Sequence, residues 1–154
     1  GADGSWTSYW WTSPHYTTLQ AVHLGLIHGD AEPVERAVEW TMRSQADDGR
    51  WAAPGASAFT FATAVSLSVL LAAGARRRQV ERAVASLADL QCDDGSWPSD
   101  PILRIPLPGD VHPDGRRLRR PGWFGRGFLV PDQNRTFTSA ACVAALAAAR
   151  DSID

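Results

Sequence analysis

The side chains able to do chemistry fall into several sets. Arg116, Arg117, Arg119 and Arg120 place four guanidinium groups within five residues, and such forks suit the oxygens of a phosphate or diphosphate. With Ile102, Leu103, Ile105, Leu107, Trp123, Phe124 and Phe128 nearby, the same segment equally fits a basic surface resting on an anionic membrane, or a solvated loop. A second set is aromatic: Trp10, Trp11, Tyr16, Phe59, Phe61 and Phe137. A ring face stabilises a neighbouring cation by about 0.5–2 kcal/mol, although apolar helices also bury such rings simply as core. The acidic pairs Asp47-Asp48 and Asp93-Asp94 stand in glycine-containing turns, so they read as turn formers and form no Asp-Asp-x-x-Asp metal-diphosphate motif. His23 and His28 share no helix face, and His15 and His112 are isolated; ordinary hydrogen-bonded histidines are expected, with no metal and no cofactor. Cys92 and Cys142 have no CxxC spacing, and two free thiols in a reducing compartment are expected.

The elements that must carry these side chains repeat. Gln91-Cys92-Asp93-Asp94-Gly95-Ser96-Trp97 restates Gln45-Ala46-Asp47-Asp48-Gly49-Arg50-Trp51, and a shorter copy, Asp3-Gly4-Ser5-Trp6, opens the chain. Tryptophans 6, 51 and 97 are 45 and 46 residues apart, a period that signals stacked structural units. The units run near 3–45, 49–91 and 95–150. Trp6 to Tyr16 and Trp51 to Phe61 are each 10 residues, whereas Trp97 to Phe137 is 40. An insertion of about 30 residues therefore occupies roughly 101–131; its prolines and glycines predict a loop.

Within each unit two helix types alternate. The first, predicted from Pro14 to about His28, is apolar nearly all round and follows Ser13, a natural N-cap before a proline. The second, from Pro33 to Gln45, has one apolar stripe formed by Val34, Ala37, Val38, Thr41 and Met42. Ser57–Ala73 and Gln79–Gln91 restate the pair, and Val80-Glu81-Arg82-Ala83-Val84 copies Val34-Glu35-Arg36-Ala37-Val38 letter for letter. Thr136–Arg150 is the last apolar helix. Such a pattern predicts buried inner helices and half-wet outer ones.

Composition bounds the rest. The 154 residues are 44% hydrophobic and 21% charged, as in one soluble globular domain. A net charge of -2 gives no reason to expect nucleic acid. No apolar run is long enough to span a bilayer, and no leader precedes the first unit, so a cytoplasmic chain is expected, peripheral to a membrane at most. The opening Gly1-Ala2-Asp3 lacks an initiator methionine and falls inside a unit, which suggests a processed chain or a fragment of something longer.

Alternating apolar and amphipathic helices punctuated by Gln-x-x-x-Gly-x-Trp resemble the α/α toroid of the squalene and oxidosqualene cyclases and related class II terpene cyclases, whose turn is the QW motif. Asp3-Gly4-Ser5-Trp6, Trp10, Tyr16 and Thr18 are similar to a stretch in the C-terminal region of these enzymes. The resemblance covers nearly all of the chain except the insertion. It implies an all-α half barrel of about three helix pairs, with Asp3, Gly4, Trp6, Gln45, Asp48, Gly49, Trp51, Gln91, Asp94, Gly95 and Trp97 as structural QW positions.

The resemblance also implies a chemistry. Class II cyclases protonate an alkene or epoxide of a linear isoprenoid with a carboxylic acid, conventionally in Asp-x-Asp-Asp-Thr, and the cation then closes rings in a dry cavity. If Thr18, Thr63 and Ser139 take the place of that threonine, the proton-donor position holds Tyr16, Phe61 and Phe137. The flanking acid positions hold Pro14 and Thr17, Phe59 and Ala62, and Arg135 and Thr138. No acid motif is present, nor the clustered Asp, Cys and His that the zinc site of a protein prenyltransferase needs. The expected role is therefore cavity wall and QW rigidity in a cyclase, inactive alone, with a linear isoprenoid as substrate and an N-terminal half barrel as partner. The alternative is a non-catalytic half-toroid that pairs with a second copy or another chain, because three units leave an apolar flank unfinished.

Overall fold

The computed structural model describes residues 1–52, 59–74, 77–99, 101–107, 109 and 128–153. Five helices carry the fold: α1 (Pro14–His28), α2 (Ala31–Arg43), α3 (Thr60–Ala72), α4 (Arg77–Asp89) and α5 (Thr136–Ile153). α1 starts where Ser13 accepts a hydrogen bond from the His15 amide and Pro14 supplies the first helical residue. α2 begins at Ala31, ahead of the expected Pro33, because a proline in the first turn forfeits no helical hydrogen bond. The described α3 begins at Thr60 rather than Ser57, and residues 53–58 lie outside the described set. α5 runs past the expected Arg150 to Ile153.

The helices stack in two layers. α1, α3 and α5 lie side by side with α3 in the middle, while α2 packs on α1 and α3 and α4 packs on α3 and α5. α3 is buried on nearly every face from Thr60 to Leu70, matching a sequence apolar all round. α2 and α4 bury one stripe each: Val34, Ala37 and Thr41 on α2, and Val80, Ala83, Ser86 and Leu87 on α4. The core has two lobes. One joins Trp51, Leu67, Leu70, Leu87, Trp97 and Cys142; the other joins Leu19, Val22, Val34, Phe61, Val65 and Ile102. Burying a leucine, valine or phenylalanine of this kind contributes about 1.5–3 kcal/mol.

The segment expected as a loop at 101–131 is ordered at both ends. β1 (Leu103–Ile105) pairs antiparallel with β2 (Phe128–Val130), Leu103 lying opposite Val130 and Ile105 opposite Phe128. β1 also forms a bridge to Trp11, so the backbone before α1 becomes a third line of this small sheet. Strands this short leave little periodic signal, and their partner lies far back in the chain. Among the described residues, Cys92 and Cys142 are free thiols, and no helix is long and apolar enough to cross a membrane.

Candidate cavity wall and the turns that hold it

The Gly-Trp turns are built alike at their hydrogen bonds. Asp3, Asp48 and Asp94 each accept, through Oδ1, the amide of the residue two places on, at 3.0 Å in all three turns. The following glycine takes a positive φ, 96° at Gly4, 86° at Gly49 and 80° at Gly95, a region open to glycine at little cost. The next tryptophan amide donates to a hydroxyl one turn into the apolar helix: Trp6 to Thr18 at 3.0 Å, Trp51 to Thr63 at 3.1 Å and Trp97 to Ser139 at 3.2 Å. Hydrogen bonds from the side chain and amide of Ser5 hold the Asp3 carboxyl below the usual carboxylate range, and those of Ser96 do the same for Asp94. The carboxylates are thus spent on turn geometry.

Backward ties complete the joint. The buried Trp51 and Trp97 indoles donate to the carbonyls of Thr41 and Leu87 at 2.7 Å, pinning each turn to the amphipathic helix before it. Gln45 Nε2 donates to the carbonyls of Gly49 (3.1 Å) and Gln79 (3.0 Å), and so links the end of α2 to the first turn of α4. Gln91 Nε2 donates to the Gly95 carbonyl at 3.0 Å. Trp6, with no described helix before it, is largely exposed.

The aromatic candidates separate into one assembled group and scattered rings. Trp11 stacks on Tyr16 with centroids 3.9 Å apart, and lies 5.9 Å from Phe61 with the two planes only 5° apart; Tyr16 and Phe61 are 6.1 Å apart. This triad sits at the starts of α1 and α3. Phe59 is half-buried just before α3, while Trp10 is mostly exposed and meets Tyr9 edge-on at 5.0 Å. Phe137 is 59% exposed on α5, away from the triad although its sequence position is equivalent to Tyr16 and Phe61. Arg116, Arg117, Arg119 and Arg120 lie outside the described residues.

What fixes the triad was not evident in the sequence. Thr12 donates its amide to the Ile102 carbonyl (3.1 Å) and its hydroxyl to the Pro101 carbonyl (3.1 Å). The buried Arg104 donates its amide to Trp10 O (2.8 Å), Nε to Tyr9 O (2.9 Å) and Nη2 to Ser8 O (2.6 Å). One guanidinium thus holds the backbone that presents Trp11. The only advance signal for this was an arginine within the apolar run Ile102–Ile105.

Two further polar groups are structural. His15 is buried against Trp40; its Nε2–H donates to Ala52 O at 3.2 Å, so its Nδ1 accepts the Ser66 hydroxyl at 2.9 Å. Burial pushes its pKa down to about 4 and keeps the ring neutral. Asp132 accepts the amides of Phe137 (3.1 Å) and Thr138 (2.9 Å) and the Thr138 hydroxyl (2.7 Å), which caps the start of α5. Burial pushes the Cys142 thiol up to about 12. Among the described residues no group of three or more His, Cys, Asp or Glu could hold a metal ion.

No protein-family model matches the chain. Among curated proteins it is similar to a copalyl diphosphate synthase of Streptomyces anulatus, 34% identical over 85 residues, covering 53% of this chain and 15% of the relative. Among solved structures it is similar to the type II terpene cyclase MstE from Scytonema, with a TM-score of 0.85 at 29% identity over 99% of this chain and 48% of that one. A variant of MstE in complex with geranylgeranyl dihydroxybenzoate, its substrate, matches with a TM-score of 0.80 at 32% identity over 99% and 47% of the two chains. A protein from Actinoplanes matches with a TM-score of 0.81 at 28% identity over 97% and 47%. The chain spans about half the length of these solved structures. Its apolar helices, the amphipathic helices behind them and the turns between are built on the fold of the class II terpene cyclases.

Proposed function

We propose that this chain forms part of the wall of a cavity in which a linear isoprenoid is cyclised, with the protonating acid supplied from outside residues 1–154. The observation that carries this is the stacked triad Trp11, Tyr16 and Phe61 at the starts of two neighbouring apolar helices. Protonating an alkene creates a carbocation, which ring faces stabilise by about 0.5–2 kcal/mol each without quenching it as water would. The three positions where an Asp-x-Asp-Asp-Thr donor would stand are aromatic, so these residues can guide a cation but cannot start one. On this reading the chain comprises three helix-pair units, near 3–45, 49–91 and 95–150, and is complemented by a second half barrel. The substrate-bound MstE relative supports a polyprenyl substrate class.

Titrating the chain with geranylgeraniol and following tryptophan emission tests the wall. Quenching is expected, and Trp11→Phe removes most of it. Absence of quenching, both in the chain alone and with a complementary cyclase half added, would overturn the proposal. The chain alone is expected to release no cyclised product from squalene or geranylgeranyl diphosphate, and turnover would show that an acid within it had been overlooked.

The second reading, a non-catalytic half-toroid pairing with a second copy or another chain, draws on Leu24 and Ile27 of α1 and Phe137 and Val143 of α5, all exposed. Light scattering separates the two. A stable monomer argues against pairing between copies.

A further inference from the structure

We propose that Arg104 is a positioning residue for the cavity wall: by holding the backbone of Ser8 and Tyr9 it fixes the Trp11 ring face that a bound isoprenoid meets. The inference rests on the cavity reading above and adds to it a residue that touches no substrate.

The three rings of the triad are not held alike. Tyr16 stands on α1 and Phe61 on α3, and the packing of those two helices sets both. Trp11 precedes α1, in a stretch (7–12) that forms no helix, and an internal hydrogen bond there, from the Trp10 amide to the Ser8 hydroxyl, is long at 3.3 Å. Yet the Trp11 ring meets Tyr16 at 3.9 Å and lies within 5° of the Phe61 plane. Its place is therefore set from outside its own stretch of chain.

The outside support comes from residues 101–105. Trp11 bridges antiparallel to Leu103, flanked by the Thr12 amide on Ile102 O and the Arg104 amide on Trp10 O. Those bonds are main-chain, and any residue at 104 except proline would make the second of them. What the side chain alone supplies is a grip further upstream, Nε on Tyr9 O at 2.9 Å and Nη2 on Ser8 O at 2.6 Å. Successive side chains of a strand point to opposite faces. Arg104 thus lies across the sheet from Leu103 and from the Trp11 side chain paired with it. The guanidinium acts on the ring through the backbone.

Two observations make this more than general stability. Trp11 and Tyr16 are half-buried while Phe61 is buried, so the stack keeps aromatic surface uncovered for a ligand. Contact with such a surface depends on small distances, since a gap of about 0.5–1 Å forfeits a quarter to a half of the dispersion attraction. The grip also belongs to the third unit. Trp6 to Tyr16 and Trp51 to Phe61 span 10 residues each, and the 40 from Trp97 to Phe137 supply the extra chain that reaches back to Ser8 and Tyr9. The residue at 104 therefore tunes the wall at Trp11 without altering any ring in it.

The test uses the full chain labelled with fluorotryptophan, the Trp11 fluorine resonance being assigned by its loss in Trp11→Phe. Arg104→Met keeps the apolar stem and removes the fork; it should shift or broaden the Trp11 resonance while those of Trp51 and Trp97 stay in place. Arg104→Lys, with one ammonium for two carbonyls, should shift it less. Geranylgeraniol should move the parent's Trp11 resonance, and Arg104→Met should weaken that binding about fivefold, as misplacing one aromatic face would. Val80→Ala opens a cavity in the other lobe of the core and controls for general loosening; both readouts should stay at their parent values. The positioning role is overturned if the methionine variant, or the lysine variant where the first does not fold, leaves the Trp11 resonance or the affinity unchanged, or if Val80→Ala moves them as far. A parent resonance that geranylgeraniol does not move, in the chain alone and with a complementary cyclase half added, overturns the cavity reading itself and this role with it.

Discussion

Lowering the pH from 7 to 4.5 perturbs one buried side chain selectively. His15 is 3% exposed, its two ring nitrogens are engaged with Ala52 O and the Ser66 hydroxyl, and its folded pKa is near 4 against 6.5 for a free imidazole. Between those two values the unfolded chain takes up a proton that the folded chain refuses. The stabilisation is therefore fully present above about pH 6.5, falls as pH drops toward 4, and is constant below that, where both states are protonated. A gap of this size corresponds to about 3 kcal/mol in total, most of which is lost by pH 4.5. Against a typical domain stability of about 5–15 kcal/mol, that is a readily measured fraction. Asp3 and Asp94, held below the usual carboxylate range by their serine hydrogen bonds, lose their contribution only as pH falls below about 4, so they fall outside this window. Urea unfolding followed by circular dichroism at pH 7, 6, 5 and 4.5 gives the slope. His15→Gln, which has an N–H to offer Ala52 but no titrating ring, should flatten it. Equal slopes in parent and variant, or an NMR titration placing His15 near 6.5, would refute the reasoning.

Trp51→Phe removes a 2.7 Å indole bond to the Thr41 carbonyl, which keeps the Ser44 hydroxyl at 3.2 Å, a loss of about 0.5–1.5 kcal/mol in urea unfolding. Trp6→Phe, at an exposed ring, should stay within about 0.5 kcal/mol. Asp132→Ala strips three hydrogen bonds from the start of α5; it should cost at least about 1–2 kcal/mol and speed amide exchange at Phe137 and Thr138 before the rest of α5.

Much of this architecture is written locally. The duplicated Val-Glu-Arg-Ala-Val places α2 and α4 because an apolar stripe with charged flanks specifies a half-buried helix whatever it packs on. α3 is legible for the opposite reason, since a helix apolar all round has to be enclosed. Arg104 was not legible: its burial is offset by backbone carbonyls of Ser8 and Tyr9, and no pattern in its own neighbourhood encodes them. Equivalence of position also fell short as a guide to environment. Tyr16, Phe61 and Phe137 occupy the same place after their turns, yet the Tyr16 and Phe61 rings lie together while Phe137 is exposed, although α5 packs on α3 as α1 does. Sequence symmetry fixes where a ring starts, and the next element decides what it meets.

The strap from β1 to the segment before α1 alters how the array comes apart. A linear array of units coupled only to their neighbours frays from its ends, each terminal unit melting at its own cost. Here Arg104 bonds to residues 95 and 96 positions earlier, so the segment before α1 cannot peel away without releasing β1. Closing so long a loop is entropically expensive and is expected late in folding. Once closed, it converts a zipper into a clasp, and the Trp11 ring should keep its place until the whole chain unfolds.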